Sequence, residues 1–314
     1  RFIKKKVRLP EAADFFTAVF TGNLSDRFLQ KKFHDCGMEH ILAISGFHFG
    51  LLVILLRFLA KPWRRSYLLI IPLSSLYFYF LGASPSIFRA WLTVQFMLVG
   101  HLLNKKTSAP NLLSAVLLLH LLTNPAAIFN VGFQLSYLAV ASLLLLYPAL
   151  EKELQAVLPQ RPAVLQRQLP FWQRSSCWIL TFFRKSLALN LAITLTCLPY
   201  CLYRFAEYPL ISLVYNLFFP FLAGLSLFFL FLSLLFSLCL PFVGSLLFLL
   251  NSYYTQYLLD LLACLPASWQ LILRLPHQAF PLELLIFYLI ALFTIALLLQ
   301  KRQHAAIDEL LRYF

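Results

Sequence analysis

Long apolar runs separated by short basic or proline-containing turns make up most of the chain. A transmembrane α-helix needs about 20 consecutive, mainly apolar residues to cross the hydrocarbon core. The pattern accommodates roughly eight to ten transmembrane or re-entrant helices, some broken by proline, and predicts an all-α polytopic membrane bundle. The predicted spans are 41–59, 67–81, 85–103, 111–122, 126–147, 184–204, 209–240, 242–265 and 281–299.

Three stretches depart from this pattern and divide the chain. Residues 1–37 are amphipathic, and we expect them to form a lead-in segment lying at the membrane interface. Residues 38–300 form the transmembrane domain, within which 148–177 is a cytoplasmic amphipathic connection. Residues 301–314 form a basic amphipathic tail.

The basic turns predict an orientation. Cations cluster at 61–65, at 105–106 and across 152–185, and these turns alternate so that they share one side of the membrane. The positive-inside rule makes that side cytoplasmic. His40 and Ser84 then lie near the outer surface.

The first predicted span has two different faces when its residues are placed about 100° apart. One face is polar and carries His40, Ser45 and His48. The other face is small and carries Ala43, Gly46 and Gly50. Small residues let another helix approach closely, whereas polar residues at membrane depth face protein or water.

Further helices repeat this design. The polar candidates are Ser86, Arg89, Thr93, Gln134, Tyr137, Asn190 and Asn216. The small residues opposite Gln134 and Tyr137 are Gly132 and Ser136. Any one of these polar groups is commonly an inter-helix hydrogen bond, and Arg89 has the alternative of snorkelling to the surface. The joint pattern favours a shared polar cavity made positive by Arg89.

Charge and motif content narrow the functions. The chain carries 26 Lys and Arg against 12 Asp and Glu, a net charge of +14, so an anionic partner meets little repulsion. The six cysteines contain no C-x-x-C pair, and the sequence has no zinc-ligand spacing and no phosphate-binding G-x-x-x-x-G-K-[ST] loop. We therefore expect no metal, no cofactor and no enzymatic activity. Because the first methionine is Met38, we also expect the chain to be part of a longer protein.

Several ordered motifs resemble those of the ComEC-type competence proteins. The nine residues from His40 to His48, H-I-L-A-I-S-G-F-H, are similar to the family's H-L-L-A-I-S-G-L-H signature, with Phe47 in place of Leu. The segment leading to it, S-I-F-R-A from Ser86, N-P at Asn124 and G-F-Q-L-S from Gly132 also match family elements. The resemblance continues through L-P-Y at 198–200 to Asn216 and Pro220.

The resemblance implies a multi-pass channel in the bacterial inner membrane that passes single-stranded DNA into the cytoplasm during natural transformation. It also implies a separate cytoplasmic motor, a periplasmic DNA receptor and a nuclease, on another domain or protein. Single-stranded DNA and membrane lipids are thus the expected direct partners, while the sequence leaves the oligomeric state open.

Two other functions remain open from the residues alone. A secondary transporter for a small anion or a lipid carrier would suit helices broken at Pro199 and Pro220. An intramembrane hydrolase would use Ser45 and His48, but both project from the same helix face and no carboxylate lies near them in the apolar segment.

Overall fold

A computed structural model describes most of the chain. The described residues are 6–7, 9–22, 26–42, 46–59, 66–105, 108–159, 170–263, 271–276 and 281–312. Ala43 and Ser45, two of the residues singled out in the first span, lie outside these ranges.

The described part of the chain is almost entirely helical. Its α-helices are α1 (Pro10–Thr21), α2 (Arg27–Asp35), α3 (Glu39–Leu42), α4 (Gly46–Leu59), α5 (Tyr67–Leu81), α6 (Pro85–Leu102), α7 (Ala109–Thr123), α8 (Val131–Leu145), α9 (Tyr147–Val157), α10 (Phe171–Phe205), α11 (Ser212–Cys239), α12 (Pro241–Ala263) and α13 (Leu282–Arg312). A 3-10 helix covers Pro125–Phe129, and two short strands, β1 (Glu207–Pro209) and β2 (Ile272–Arg274), pair with each other. The all-α class predicted from the sequence is confirmed.

Fewer helices than expected have the length of a full span. In the described ranges, the helices long and apolar enough to cross a membrane are α10, α11 and the Leu282–Lys301 part of α13, with a fourth span if α8 and α9, bent by 47°, are taken together. Helices α4, α5 and α7 are apolar but only 14 or 15 residues long. At 1.5 Å per residue they extend about 22 Å, which is shorter than the hydrocarbon core of about 30 Å.

The chain divides into two compact units. Unit 1 comprises Arg1–Gln134 and Pro209–Leu271, and unit 2 comprises Leu135–Tyr208 and Ile272–Phe314. The sequence had suggested one membrane domain.

The core of unit 1 includes the lead-in segment. Helix α1 packs on α11 and α12, and its Phe15 and Phe16 are fully buried together with Phe33 of α2. A short helix with apolar residues around most of its circumference buries more than one face. Helix α1 is thus part of the core of unit 1, and its place at the membrane interface stays a prediction.

Polar contacts join α11 to α12 inside unit 1. The hydroxyls of Ser226 and Thr255 lie 2.7 Å apart, and Asn251 Nδ2 donates to the Ser226 carbonyl at 3.0 Å. Tyr254 OH donates to the Leu222 carbonyl at 3.0 Å. Such bonds between membrane helices contribute about 0.6 kcal/mol on average.

A second polar network in unit 1 joins α5 to α6. Trp91 Nε1 donates to Ser75 Oγ at 3.1 Å, and Gln95 Nε2 donates to Ser74 Oγ at 3.0 Å. The contact of Gln95 was not predicted from the sequence, because one amide in an apolar helix does not by itself show which neighbouring helix it meets.

Unit 2 is built on α10, which is continuous from Phe171 to Phe205. The helix therefore starts inside the stretch predicted as a connection. Arg184 of α10 is 1% exposed, and its Nη1 donates to the Leu158 carbonyl at the end of α9 at 3.0 Å. A cation at a helix C-terminus meets the negative end of the helix dipole, so Arg184 holds α9 against α10.

Proline 199 shapes the contact between α10 and α13. Pro199 has no backbone N–H, so the Leu195 carbonyl lacks its usual helical donor. Tyr288 OH of α13 donates to that carbonyl at 2.9 Å. The break in the α10 hydrogen-bond ladder therefore becomes an attachment point for α13.

Candidate functional site

The buried guanidinium of Arg89 lies beside Gly46 and His120, and Ser86, one turn earlier on α6, donates to the Gly132 carbonyl at the start of α8. We call this group the Arg89 site, and it consists of Gly46, Ser86, Arg89, His120, Gly132 and Gln134. It draws on α4, α6, α7 and the start of α8, and five of its members were predicted from sequence as channel-lining or packing residues of separate helices.

Arg89 lies in the first turns of α6 and is 8% exposed. Helix α6 starts at Pro85, whose ring suits the first helical position. A Cβ on Gly46, the first residue of α4, would lie 3.3 Å from Arg89 Nη2. The missing side chain of Gly46 therefore leaves room for the arginine.

His120 of α7 completes the site and was missed by the sequence analysis. Its ring is 3% exposed and lies edge-on to Phe88 at 4.7 Å and to Phe133 at 4.9 Å between centroids. It also lies within electrostatic range of Arg89. A histidine inside an apolar run was the signal used for His48, and the same signal was available here.

Hydrogen bonds attach the start of α8 to α6 and to the preceding 3-10 helix. Ser86 Oγ donates to the Gly132 carbonyl at 3.2 Å, and Gln134 Nε2 donates to the Ile128 carbonyl at 2.7 Å. A Cβ on Gly132 would lie 3.1 Å from Asn130 Oδ1 and 3.7 Å from Ser86 Oγ. A side chain at Gly132 would thus press on Asn130 and make only ordinary contact with Ser86, so the helix-packing role of Gly132 stays a prediction.

Two further candidates on α4 and α6 are held within unit 1. Thr93 is half-buried and donates its hydroxyl to the Arg89 carbonyl at 2.8 Å. His48 of α4 is 3% exposed. Both positions stay predictions as lining residues.

The glycines on the small face of α4 differ in how closely other residues approach them. Nothing among the described residues lies within 4 Å of the position that a Cβ of Gly50 would take. The close helix approach predicted at Gly50 is therefore not found there. The intimate contact involves Phe47 instead, because its ring occupies the place that a side chain on Gly224 of α11 would fill.

Several oxygen atoms at and near Asn216 of α11 lack hydrogen-bond donors among the described residues. Within that part of the chain, the buried Oδ1 of Asn216 meets no hydrogen-bond donor, and the Oγ of Ser212, one turn earlier, has no partner either. Pro220 cannot donate to the Asn216 carbonyl, so that backbone oxygen lacks its helical partner as well. Unpaired oxygens of this kind suit water or another hydrogen-bond donor.

The remaining candidates belong to unit 2. Tyr137 and Asn190 are buried, and Ser136 is half-buried. Thr194 Oγ1 donates to Asn190 Oδ1 at 3.3 Å on the same helix. These three residues therefore lie in a different unit from Arg89 and are not part of the Arg89 site.

The chemistry of the Arg89 site is that of an anion-binding group. Arginine stays charged at every physiological pH and presents several N–H donors in one plane, which matches the oxygens of a phosphate. Among the described residues, no cluster of three or more His, Cys, Asp or Glu side chains has the arrangement of a metal site.

Comparison with known proteins assigns the family. The family model described as Competence protein matches residues 21–302. The chain is 28% identical over 218 residues to ComE operon protein 3 of Bacillus subtilis (strain 168), which covers 66% of this chain and 24% of that relative. The chain thus spans about a quarter of the relative's length, and no solved structure matches it significantly. Because the family model covers most of the chain, this membrane protein belongs to the ComEC-type competence protein family.

Proposed function

We propose that the chain forms an inner-membrane channel that passes one strand of DNA into the cytoplasm during natural transformation. The family match supports a role in DNA uptake. The observation that carries the finer proposal is the burial of Arg89 beside His120 of α7, one turn from the bond between Ser86 and Gly132.

The electrostatics favour a polyanion. Single-stranded DNA carries one charge per nucleotide and cannot enter hydrocarbon without compensation. Conduction also requires binding that is weak enough for release. In the described part of unit 1, Arg89 is the buried cation, and the hydrogen-bonded groups next to it along α6 and at the start of α8 are an uncharged hydroxyl, amide and carbonyl.

The structure gives the small-anion transporter less support. That alternative relied on carbonyls freed at Pro199 and Pro220 as ion ligands. The carbonyl freed by Pro199 accepts a hydrogen bond from Tyr288 and so serves helix packing. The hydrolase alternative depended on Ser45, which lies outside the described residues.

The proposal assigns other steps to other proteins or domains. Since the sequence contains no nucleotide-binding loop, a cytoplasmic motor pulls the strand. A periplasmic receptor delivers the DNA, and a nuclease removes the complementary strand. The chain itself conducts without catalysis.

The test uses substitutions of Arg89 in the complete protein of a competent host. Arg89→Glu reverses the charge and is expected to lower DNase-resistant uptake of labelled DNA at least 100-fold, while DNA bound at the cell surface is unchanged. Arg89→Lys keeps the charge and retains more uptake than Arg89→Gln. Arg27→Gln removes an exposed cation from α2 and serves as the control.

Membrane levels of each variant are measured by immunoblot. Normal uptake by Arg89→Glu at normal protein level would remove Arg89 from the mechanism. Equal losses in Arg89→Gln and Arg27→Gln would show that net charge, and not the site, matters.

A further inference from the structure

Three helix ends meet at one end of unit 1 and expose a charged and aromatic cluster. Arg57 lies in the last turn of α4, Tyr67 is the first residue of α5, and His101 lies in the last turn of α6. These helices pack on one another. We call the three side chains the Arg57 patch, and neither the Arg89 site nor the family assignment uses them.

Arg57 is exposed but held in place. Its Nη2 donates to Tyr67 OH at 3.2 Å, and the guanidinium carbon lies 5.6 Å from the centre of the tyrosine ring. A guanidinium stacked on an aromatic ring keeps donors at its free edges. The geometry therefore presents an oriented cation to the surroundings at low cost in side-chain entropy.

His101 supplies an acceptor next to the Tyr67 ring. Its ring lies 5.7 Å from the Tyr67 ring, and Nδ1 lies 2.7 Å from the Met97 carbonyl. Because a carbonyl only accepts, Nδ1 carries the proton of the neutral ring. Nε2 is then the acceptor nitrogen, suited to a hydroxyl group.

Exposed apolar side chains lie beside the patch on the same helices. Ile54 and Phe58 of α4 and Leu68 of α5 are exposed by 62%, 73% and 57%. A small soluble anion gains nothing from these apolar neighbours. An amphiphile gains from both parts, because its phosphate meets the cation while its acyl chains lie along the apolar side chains.

We propose that the Arg57 patch binds an anionic phospholipid with a hydroxyl-bearing headgroup, such as phosphatidylglycerol. The phosphate accepts from Arg57, and a headgroup hydroxyl donates to His101 Nε2. The predicted orientation agrees, since the basic turns at 61–65 and 105–106 place this end in the cytoplasmic leaflet, where anionic lipids attract cations. The proposal is independent of the DNA channel.

The test is native mass spectrometry of the full chain in detergent with equal amounts of phosphatidylglycerol and phosphatidylcholine of the same acyl chains. Wild type is expected to retain phosphatidylglycerol preferentially. Arg57→Gln lowers its occupancy about fivefold. Arg27→Gln, which removes an exposed arginine from α2 of the same unit, leaves occupancy unchanged.

Further variants separate the contacts. Tyr67→Phe keeps the ring and loses only the hydroxyl that orients Arg57, so it gives a smaller loss than Arg57→Gln. His101→Phe is expected to abolish the preference for phosphatidylglycerol over phosphatidic acid, which has no headgroup hydroxyl. Arg57→Lys retains more lipid than Arg57→Gln. If Arg57→Gln does not fold, Tyr67→Phe and His101→Phe carry the test, and wild-type lipid occupancy and preference in both would overturn the site.

Three further results would overturn the lipid proposal. Equal losses in Arg57→Gln and Arg27→Gln would overturn the site. Displacement of the lipid by glycerol 3-phosphate would assign the patch to a soluble phosphate, and displacement by oligothymidylate would assign it to nucleic acid. Either displacement would overturn the lipid proposal.

Discussion

The contact between Phe47 and Gly224 gives a quantitative prediction about how α4 is held. A Cβ on Gly224 would overlap the Phe47 ring at Cζ and lie 2.9 Å from Cε1, so Gly224→Ala forces the ring or the helices apart. Overpacking of this kind costs about 1–3 kcal/mol, and replacing a helical glycine by alanine recovers about 1 kcal/mol. We expect Gly224→Ala to destabilise unit 1 by about 1 kcal/mol.

Phe47→Leu is the matching change, and leucine is the residue of the family signature at this position. Alone it removes ring contacts and costs about 1 kcal/mol. Combined with Gly224→Ala it relieves the overlap, so the double variant is more stable than the sum of the two changes predicts, by about 1.5 kcal/mol of coupling.

The assay is a double-mutant cycle of reversible unfolding in mixed micelles with increasing dodecyl sulfate. Phe47→Leu paired with Gly50→Ala is the control cycle, because no described residue lies within 4 Å of that added Cβ. Additivity of the Gly224 pair within about 0.5 kcal/mol would refute the packing argument.

Two further predictions concern a hydrogen bond and a thiol. Tyr288→Phe leaves the Leu195 carbonyl without a donor and is expected to destabilise unit 2 by about 0.6–1.7 kcal/mol in the same unfolding assay, whereas Tyr203→Phe on α10 has a smaller effect. Burial, reinforced by the Asp35 charge and only partly offset by a hydrogen bond with Tyr215, raises the pKa of the Cys36 thiol to about 11. Because the thiolate is the reactive form, maleimide modifies native Cys36 slowly at pH 7.5 and faster as the pH approaches 11, as peptide mass spectrometry will show.

Each of these predictions has a contrary result. Equal stability of wild type and Tyr288→Phe would show that the Leu195 carbonyl finds another donor. Modification of Cys36 in the folded protein at pH 7.5 as fast as of the exposed Cys239 would contradict its burial.

The sequence predicted the helices better than their partners. Apolar runs predict helices because lipid leaves the backbone few alternatives, and α5 and α11 agree with their predicted spans within about three residues. Periodicity also placed Arg89 on the same face as Ser86. It does not specify which helix meets that face, so His120, which lies 31 positions further along the chain, was missed.

Long-range packing explains the other differences. Phe47 and Gly224 lie in the two separate sequence segments that make up unit 1, and no local pattern connects them. The burial of α1 depends on α11 and α12, which follow it by about 200 residues. Its apolar circumference, with Phe15 and Phe16 adjacent, was the available signal.

The attachment of Tyr288 to Leu195 has a consequence for biogenesis. The two residues are 93 positions apart, so α10 is synthesised and enters the bilayer well before its partner exists. During that interval the Leu195 carbonyl needs a temporary donor, such as water or part of the insertion machinery. Insertion of α13 brings the Tyr288 hydroxyl to that carbonyl, so we expect chains that end before residue 282 to keep a polar defect at membrane depth and to be recognised by membrane quality control.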